Sequence, residues 1–444
     1  MSLTYKNEKK DNYLLGVVAN SNGDIFEIEG YAAVGMSGKQ LVPLFEKDTI
    51  KMPHGGELML LPGRFPILYD IANREFITLD VNPYNPKEEI FPVAAFNSPG
   101  YVISHNAAYE EGEGTEALPL FSYGAVGWSC GEFKTAVILI DKERRQDLRL
   151  MPISKVKQGV NKMRKIYPKN RLMRHLENCA LSYGCPAAKN FYIGRCEAPI
   201  PTSRNCNAKC LGCISFQSDK TVSNCQERIS FTPSSTEIAE VALEHINKVE
   251  KSIVSFGQGC EGDPLMAYSV IEPGIRLIRS KTDSGTINMN TNASIPDKIK
   301  KLFDAGLDTI RVSMNSVRTE CYNAYFRPVN YSFSDVKKSI KIANSKNKIV
   351  ALNYLNCPGI TDSVEEFNAL VEFLKKHTVH LIQWRNLNID PVWYFSKMNQ
   401  VSKQTEPMGM QNIINYLTKL FPDLRHGYFN PSKLSFSVAL PIHT

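Results

Sequence analysis

The sequence predicts an α/β protein in which a β-rich N-terminal domain precedes a parallel sheet of about six strand–helix units. Three observations carry this prediction. Up to about residue 150, short apolar runs are punctuated by Pro and Gly, and no long helical period appears. From about 200 to 415, strand-like runs alternate with amphipathic segments, the pattern of βα repeats joined by right-handed crossovers. At the start of that second region, Cys206-Asn207-Ala208-Lys209-Cys210-Leu211-Gly212-Cys213 sets three cysteines in one short loop.

In the first region, Leu15–Ala19 and Ile25–Glu29 flank Asn20-Ser21-Asn22-Gly23-Asp24, a hairpin with Asn-Gly in its turn. Glu57–Leu61, Ile67–Tyr69 and Phe76–Asp80 read as further short strands, and Tyr123–Trp128 and Ala136–Ile140 close the region. A small barrel or sandwich is expected, spanning 1–150 and carrying no catalytic motif.

A basic, cysteine-bearing connector over 151–199 follows. Between Asp141 and Glu177 there are twelve Lys/Arg against four Asp/Glu, a local balance of +8 in a chain of net charge +7. Such a stretch is either a footprint for RNA or the solvated face of a helix, expected here over Lys155–Ile166. Cys179, Cys185, Cys196 and Cys225 bracket the cysteine loop, and four thiols so close in sequence are candidate ligands of an auxiliary [4Fe-4S] cluster, with buried free thiols as the alternative.

The repeats run in order. A helix over Ser235–Lys251, with Thr236 as its N-cap, leads to the strand Ser252–Phe256. Strand Thr286–Asn290, helix Pro296–Ala305 ending at Gly306, and strand Thr309–Met314 come next. Helix Ser334–Ser345, strand Ile349–Tyr354, helix Ser363–Lys376 and strand Val379–Trp384 complete the series, and 416–444 forms a C-terminal extension.

Three thiolates closing on one point suit a soft metal centre and leave it one ligand short. The loop resembles that of the radical S-adenosylmethionine (radical SAM) superfamily, whose CxxxCxxC motif holds a [4Fe-4S] cluster. The resemblance implies that Cys206, Cys210 and Cys213 bind the cluster and that S-adenosylmethionine occupies the open iron. It implies that an electron, from a donor such as a flavodoxin or ferredoxin, cleaves the sulfonium to a 5′-deoxyadenosyl radical that abstracts hydrogen from a substrate. It also implies a partial (β/α)6 TIM-like barrel over 200–415, with its chemistry at the C-terminal strand ends. An oxygen-sensitive cluster favours an anaerobic setting.

The strand ends then supply candidates. Gly257-Gln258-Gly259-Cys260-Glu261-Gly262 contains the dinucleotide pattern GxGxxG, with Asp283 about twenty residues on. Glu261 would stand beside a pyrophosphate and Pro264 would start the helix, which argues against that use. The stretch resembles instead the superfamily's Gly-Gly-Glu-Pro element, with Gly262-Asp263-Pro264-Leu265 in register. Asp263 replaces the usual Glu, leaving Asp263 or Glu261 to meet the methionyl ammonium. By the same resemblance, Asn292 ends the third strand where the superfamily often has Thr-Asn-Gly. Ser313 and Asn315 fall where ribose hydroxyls are contacted, and Arg327 is placed to pair the methionyl carboxylate.

Gln383 and Arg385, with Asn353, Asn356, Asn386 and Asn388, crowd the last strand ends, so the expected substrate is a polar small molecule or peptide, with Arg385 favouring a carboxylate or phosphate. Cys260 and Cys357 are candidate hydrogen-atom donors, or small apolar fillers.

Composition sets the outer bounds. Hydrophobic residues at 43% and charged residues at 22% are those of a globular chain with an ample core. Met1–Lys10 has no apolar core of signal-peptide type and no run is long enough to span a bilayer, so a cytoplasmic protein is expected, its eleven cysteines serving as ligands or core. The rival expectations are an RNA-modifying radical SAM enzyme, a non-catalytic zinc or iron–sulfur module associated with RNA, and a Rossmann-type oxidoreductase.

Overall fold

The predicted hairpin forms. Strands Leu15–Asn20 and Ile25–Ala32 pair with Val18 opposite Phe26. The Asn20 side chain caps the turn by accepting from the backbones of Asn22 and Asp24, and Gly23 takes the positive φ the turn needs. The structure, a computed structural model, describes residues 12–217 and 222–436; Met1–Lys10 lies outside them. The N-terminal region is an antiparallel sheet of eleven strands with two smaller sheets, and its apolar residues fall into several small clusters. No helix among the described residues is long and apolar enough to cross a membrane.

The second region is one seven-stranded parallel sheet curled into a half-barrel. In order its strands are Glu197–Pro199, Ile253–Phe256, Thr286–Thr291, Thr309–Met314, Ile349–Asn356, Leu381–Asn386 and Arg425–Gly427, each paired parallel to the next. The sheet therefore runs past the 200–415 segment at both ends. Its two edge strands have three residues each, too few to show a period in sequence. The fourth strand shows the two faces: Ile310, Val312 and Met314 join the large core beneath the helices. Thr309 and Arg311 point into the lumen, where they bond Asn288 and Gln383.

The helices are α1 (Ile153–Ile166), α2 (Arg171–Leu181), α3 (Pro186–Ile193), α4 (Ser235–Ile246), α5 (Tyr268–Arg279), α6 (Pro296–Ala305), α7 (Thr319–Phe326), α8 (Phe333–Ser345), α9 (Val364–Lys376), α10 (Pro391–Val401) and α11 (Met410–Leu420). One expected cap is corrected. α4 starts from Ser234, not Thr236, because Ser234 and Glu237 form a reciprocal capping box that satisfies two backbone donors at once. α4 also ends at Ile246, short of Lys251.

The N-terminal region is fastened to the barrel mouth. The Asn386 carboxamide accepts from Ile103 N and donates to Tyr101 O, at 2.9 Å each, while Asn356 donates to Ile103 O at 2.8 Å. Arg64, 2% exposed, pairs with buried Asp390 at 2.9 Å, and Tyr109 donates to the same carboxylate.

In the basic connector, α1 buries Val156, Val160 and Met163 and exposes its lysines. The arginines are spent internally. Arg145 meets Glu197 at 3.0 Å, Arg164 and Arg174 share Glu177, and Arg171 grips Glu237 at 2.7 Å. Burial works against the Glu237 carboxylate, but the Arg171 guanidinium and the backbone donors of Ser234 and Arg171 overcome it and hold its carboxyl down to about 2. Arg171→Ala is therefore expected to lose about 1–2 kcal/mol, a figure reduced because the guanidinium is half exposed. The pair's contribution is full above the free carboxyl's 4.5 and is lost as pH falls through about 2. Denaturant titrations of wild type and variant should converge across that window, and a gap that persisted at its acid end would contradict the assignment.

Candidate active site

The cysteine loop is laced to its surroundings through its backbone. Lys209 N donates to Phe326 O, Leu211 N to Tyr325 O, and Val329 N to Asn207 O, so the C-terminal end of α7 acts as its splint. Arg327, in the left-handed region at φ 45, donates from Nε to Lys209 O. Gly212 is needed for a close approach: a Cβ there would stand 2.6 Å from Asn388 Oδ1 and 3.0 Å from the Tyr325 hydroxyl. Asn388 also donates to Gly212 O at 2.9 Å.

Cys206, Cys210 and Cys213 are free thiols. Burial pushes Cys206 up to about 11, and burial with the charges of the other two pushes Cys210 well above its ordinary value. The three thiols adjoin one another, since the charges of Cys206 and Cys213 both act on Cys210. Tyr322, Tyr325 and Tyr331 wall the site, and burial raises all three phenols. The donor set fits a thiolate-bound iron–sulfur cluster with one iron left to another ligand.

Beside the loop lies the segment after the second barrel strand. Gly262 N donates to Ser203 O at 2.7 Å and Asp263 N to Asn205 O at 3.0 Å. A Cβ on Gly262 would overlap Asn205 O at 2.0 Å, so only glycine lets the two segments meet. Glu261 is 4% exposed and takes five bonds, from the backbones of Thr202, Ser203, Gly257 and Gln258 and from the Thr202 hydroxyl. Burial pushes its carboxyl up to about 7 against those donors. With about four lone-pair sites on a carboxylate, none is left for a ligand. Asp263 takes Leu265 N, Thr291 Oγ1 and Asn292 N, the last at 2.7 Å, and keeps acceptor capacity; its charge is felt at Cys206 and Cys210. Asn292 reaches back to Asn207 Oδ1 at 2.8 Å, tying the third strand end to the cysteine loop.

The remaining candidates divide. Ser313 stands half-buried on the lumen face opposite Asn353. Asn315 is turned out of the lumen, its amide donating to Cys321 O and to the Tyr394 hydroxyl of α10. Arg385 bonds Asn353 Oδ1 at 3.0 Å and Gln383 Oε1 at 3.3 Å, and stacks 3.8 Å over the Tyr428 ring. Gln383 is wholly buried, accepting from Arg311 Nη1 and donating to Asn430. Cys357 is buried near Asn106 of the N-terminal region, and the carboxamides of Asn356 and Asn386 hold that region's backbone.

Sequence reading missed Arg311. Burial and then the Arg385 charge push its guanidinium down to about 9, and its Nε is buried without a hydrogen-bond partner among the described residues. The signal was present in Thr309-Ile310-Arg311-Val312-Ser313, where polar residues alternate on one strand face. The four flanking cysteines are not brought together. Cys179 lies with Cys260 and His175, and Cys185 is close to it. Cys196 sits beside Arg145 and Glu143, and exposed Cys225 faces Leu120 O.

Residues 200–374 match the family model described as the radical SAM superfamily. The chain carries a radical SAM domain. The matched stretch holds the cysteine loop and four of the seven barrel strands. No curated protein matches the chain. Among solved structures, a radical SAM methyltransferase from Sphaerobacter thermophilus is similar at 13% identity and TM-score 0.36, over 52% of this chain and 66% of that one. SuiB of Streptococcus suis, bound to the precursor peptide SuiA, is similar at 14% and 0.37, over 58% and 53%. Methylornithine synthase is similar at 15% and 0.37, over 62% and 77%. The chain thus spans less than two thirds of the length of the first two.

Proposed function

We propose that this protein is a radical SAM enzyme that reductively cleaves S-adenosylmethionine and takes hydrogen from a polar substrate bearing a carboxylate or phosphate. The observation that carries the reading is the meeting of Cys206, Cys210 and Cys213 with Asp263 at the C-terminal strand ends of the radical SAM domain. The three thiolates would hold the [4Fe-4S] cluster. When bound, cluster and S-adenosylmethionine supply reductive sulfonium cleavage and a carbon-centred radical, the electron coming from a one-electron donor of flavodoxin or ferredoxin type.

The chain's own residues bind and orient. Asp263 keeps an acceptor for the methionyl ammonium, since Glu261 is committed to the loop. Ser313 offers a hydroxyl to the ribose from the fourth strand. Arg327 adjoins the loop, where a carboxylate would find it. Tyr322, Tyr325 and Tyr331 keep water from the thiolates. Deeper in the lumen, Arg311 and Arg385 face one another across Gln383 with few acids beside them, an arrangement that an anionic substrate would balance. The internal pairing of the connector's arginines leaves exposed lysines, chiefly those of α1, as its free basic groups, fewer than an RNA footprint built on the whole segment would use.

Anaerobic reconstitution with iron and sulfide tests the reading. About four irons per chain should be retained, as one cubane requires. Addition of a strong reductant and S-adenosylmethionine should then release 5′-deoxyadenosine. A protein that keeps no iron and forms no 5′-deoxyadenosine would sink the proposal.

A further inference from the structure

A second cluster of soft ligands lies away from the cysteine loop. On α2, His175 and Cys179 are four residues apart and so share one helix face. Cys260, from the segment after the second barrel strand, meets them there. His175 Nε2 stands 3.4 Å from Cys260 Sγ and 3.5 Å from Cys179 Sγ, and all three ligand atoms lie within 4.8 Å of one another. Cys179 and Cys260 are 2% and 7% exposed. It is the only such trio among the described residues.

These separations match one kind of centre. Around a tetrahedral zinc, bonds of about 2.3 Å to sulfur and about 2.0–2.1 Å to nitrogen put a bound nitrogen and sulfur about 3.6 Å apart. Ligands of a polynuclear cluster attach to different irons and stand further off.

We propose that His175, Cys179 and Cys260 form a site for a single zinc ion. Cys185, whose backbone N–H donates to Cys179 O at 2.9 Å and whose thiol feels Cys179 and is felt at Cys260, is the fourth ligand we assign. A Cys3His set closes the coordination and makes the site structural, with no position open for catalysis. Its effect would be to bolt α2 to the stretch Cys260-Glu261-Gly262-Asp263, and so to fix the acid beside the cysteine loop. Zinc is chosen because two or three thiolates with one imidazole suit a thiophilic tetrahedral ion.

The test uses the full chain with Cys206, Cys210 and Cys213 replaced by Ala, so that it is independent of the cluster proposed above. Loaded anaerobically with zinc sulfate and freed of loose metal, it should retain about one zinc per chain, as a single tetrahedral site requires. Cys179→Ser and Cys260→Ser, each added to that background, should lower retention more than about tenfold, since even an outer-sphere partner is worth about 10–100-fold. X-ray absorption of the zinc-loaded parent needs no variant at the site, and should show one imidazole nitrogen together with two or three sulfurs. A parent retaining no zinc, retention unchanged in both serine variants, or a shell of sulfur alone or of light atoms alone would each overturn the proposal. So would a Cys179–Cys260 disulfide persisting under reducing conditions in place of metal.

Discussion

Cys210→Ala is expected to abolish 5′-deoxyadenosine formation and iron retention while the protein stays folded. The expectation follows from how the loop is held. Its neighbours Lys209 and Leu211 are pinned by backbone bonds to Phe326 and Tyr325, so the fold of the loop does not depend on the Cys210 side chain. Burial with two nearby thiols gives the Cys210 thiol a poor environment in the absence of metal. Removing it leaves two ligands where a cubane with one open iron needs three. The activity loss should exceed the roughly 10–100-fold typical of outer-sphere partners. Cys225→Ser is the control: that thiol is exposed, faces Leu120 O, and should leave product formation unchanged. Unaltered 5′-deoxyadenosine release by Cys210→Ala would end the radical SAM reading, whatever the fold.

The parts of this site legible in sequence are those fixed by local spacing. The cysteine loop is contiguous, and the strands Thr286–Thr291, Thr309–Met314 and Ile349–Asn356 are long enough for their apolar runs to stand out. The edge strands Glu197–Pro199 and Arg425–Gly427 were not legible, because three residues carry no period and only pairing with a neighbour defines them. Long-range pairing also decided the fate of polar strand-end residues. Asn356 and Asn386 look like substrate contacts from sequence, yet they clasp Tyr101 and Ile103, some 250 to 285 residues earlier in the chain. Glu261 and Asp263 differ only in which donors surround them: five saturate Glu261, while Asp263 keeps room for a ligand. His175 is not legible from cysteine spacing, because its contact with Cys260 joins residues 85 positions apart.

Arg311→Met should make the unliganded protein more stable and less able to bind an anion. Arg311 is deep in the lumen, its Nε has no partner among the described residues, and the Arg385 charge acts against it more strongly than the Glu197 carboxylate supports it. A buried guanidinium so placed costs folding energy, and a methionine of similar length removes that cost while filling the space. The gain expected is about 1–3 kcal/mol by denaturant titration, in the range seen when buried charges give way to apolar side chains. Inorganic phosphate serves as a probe of the site: at ten times its dissociation constant it should stabilise the wild type by about 1.4 kcal/mol, and Arg311→Met and Arg385→Ala hardly at all. The pH dependence follows from the lowered guanidinium. With a folded value of about 9 against 12.5 when free, the native protein has released a proton between those limits that the unfolded chain still holds. The intrinsic cost of the buried charge is therefore full below about 9 and is relieved as pH rises above it, while phosphate, which needs the cation, loses its effect over the same rise. Stabilisation by phosphate that is undiminished above pH 9, or retained in both variants, would remove these arginines from the anion site. With substrate present, Arg385→Ala should cut substrate consumption about 100-fold, the loss of one or two charge-assisted bonds, while 5′-deoxyadenosine continues to form. That uncoupling would separate two layers of the proposed site, with the thiols and Asp263 at the strand ends starting the chemistry and the lumen arginines selecting its substrate.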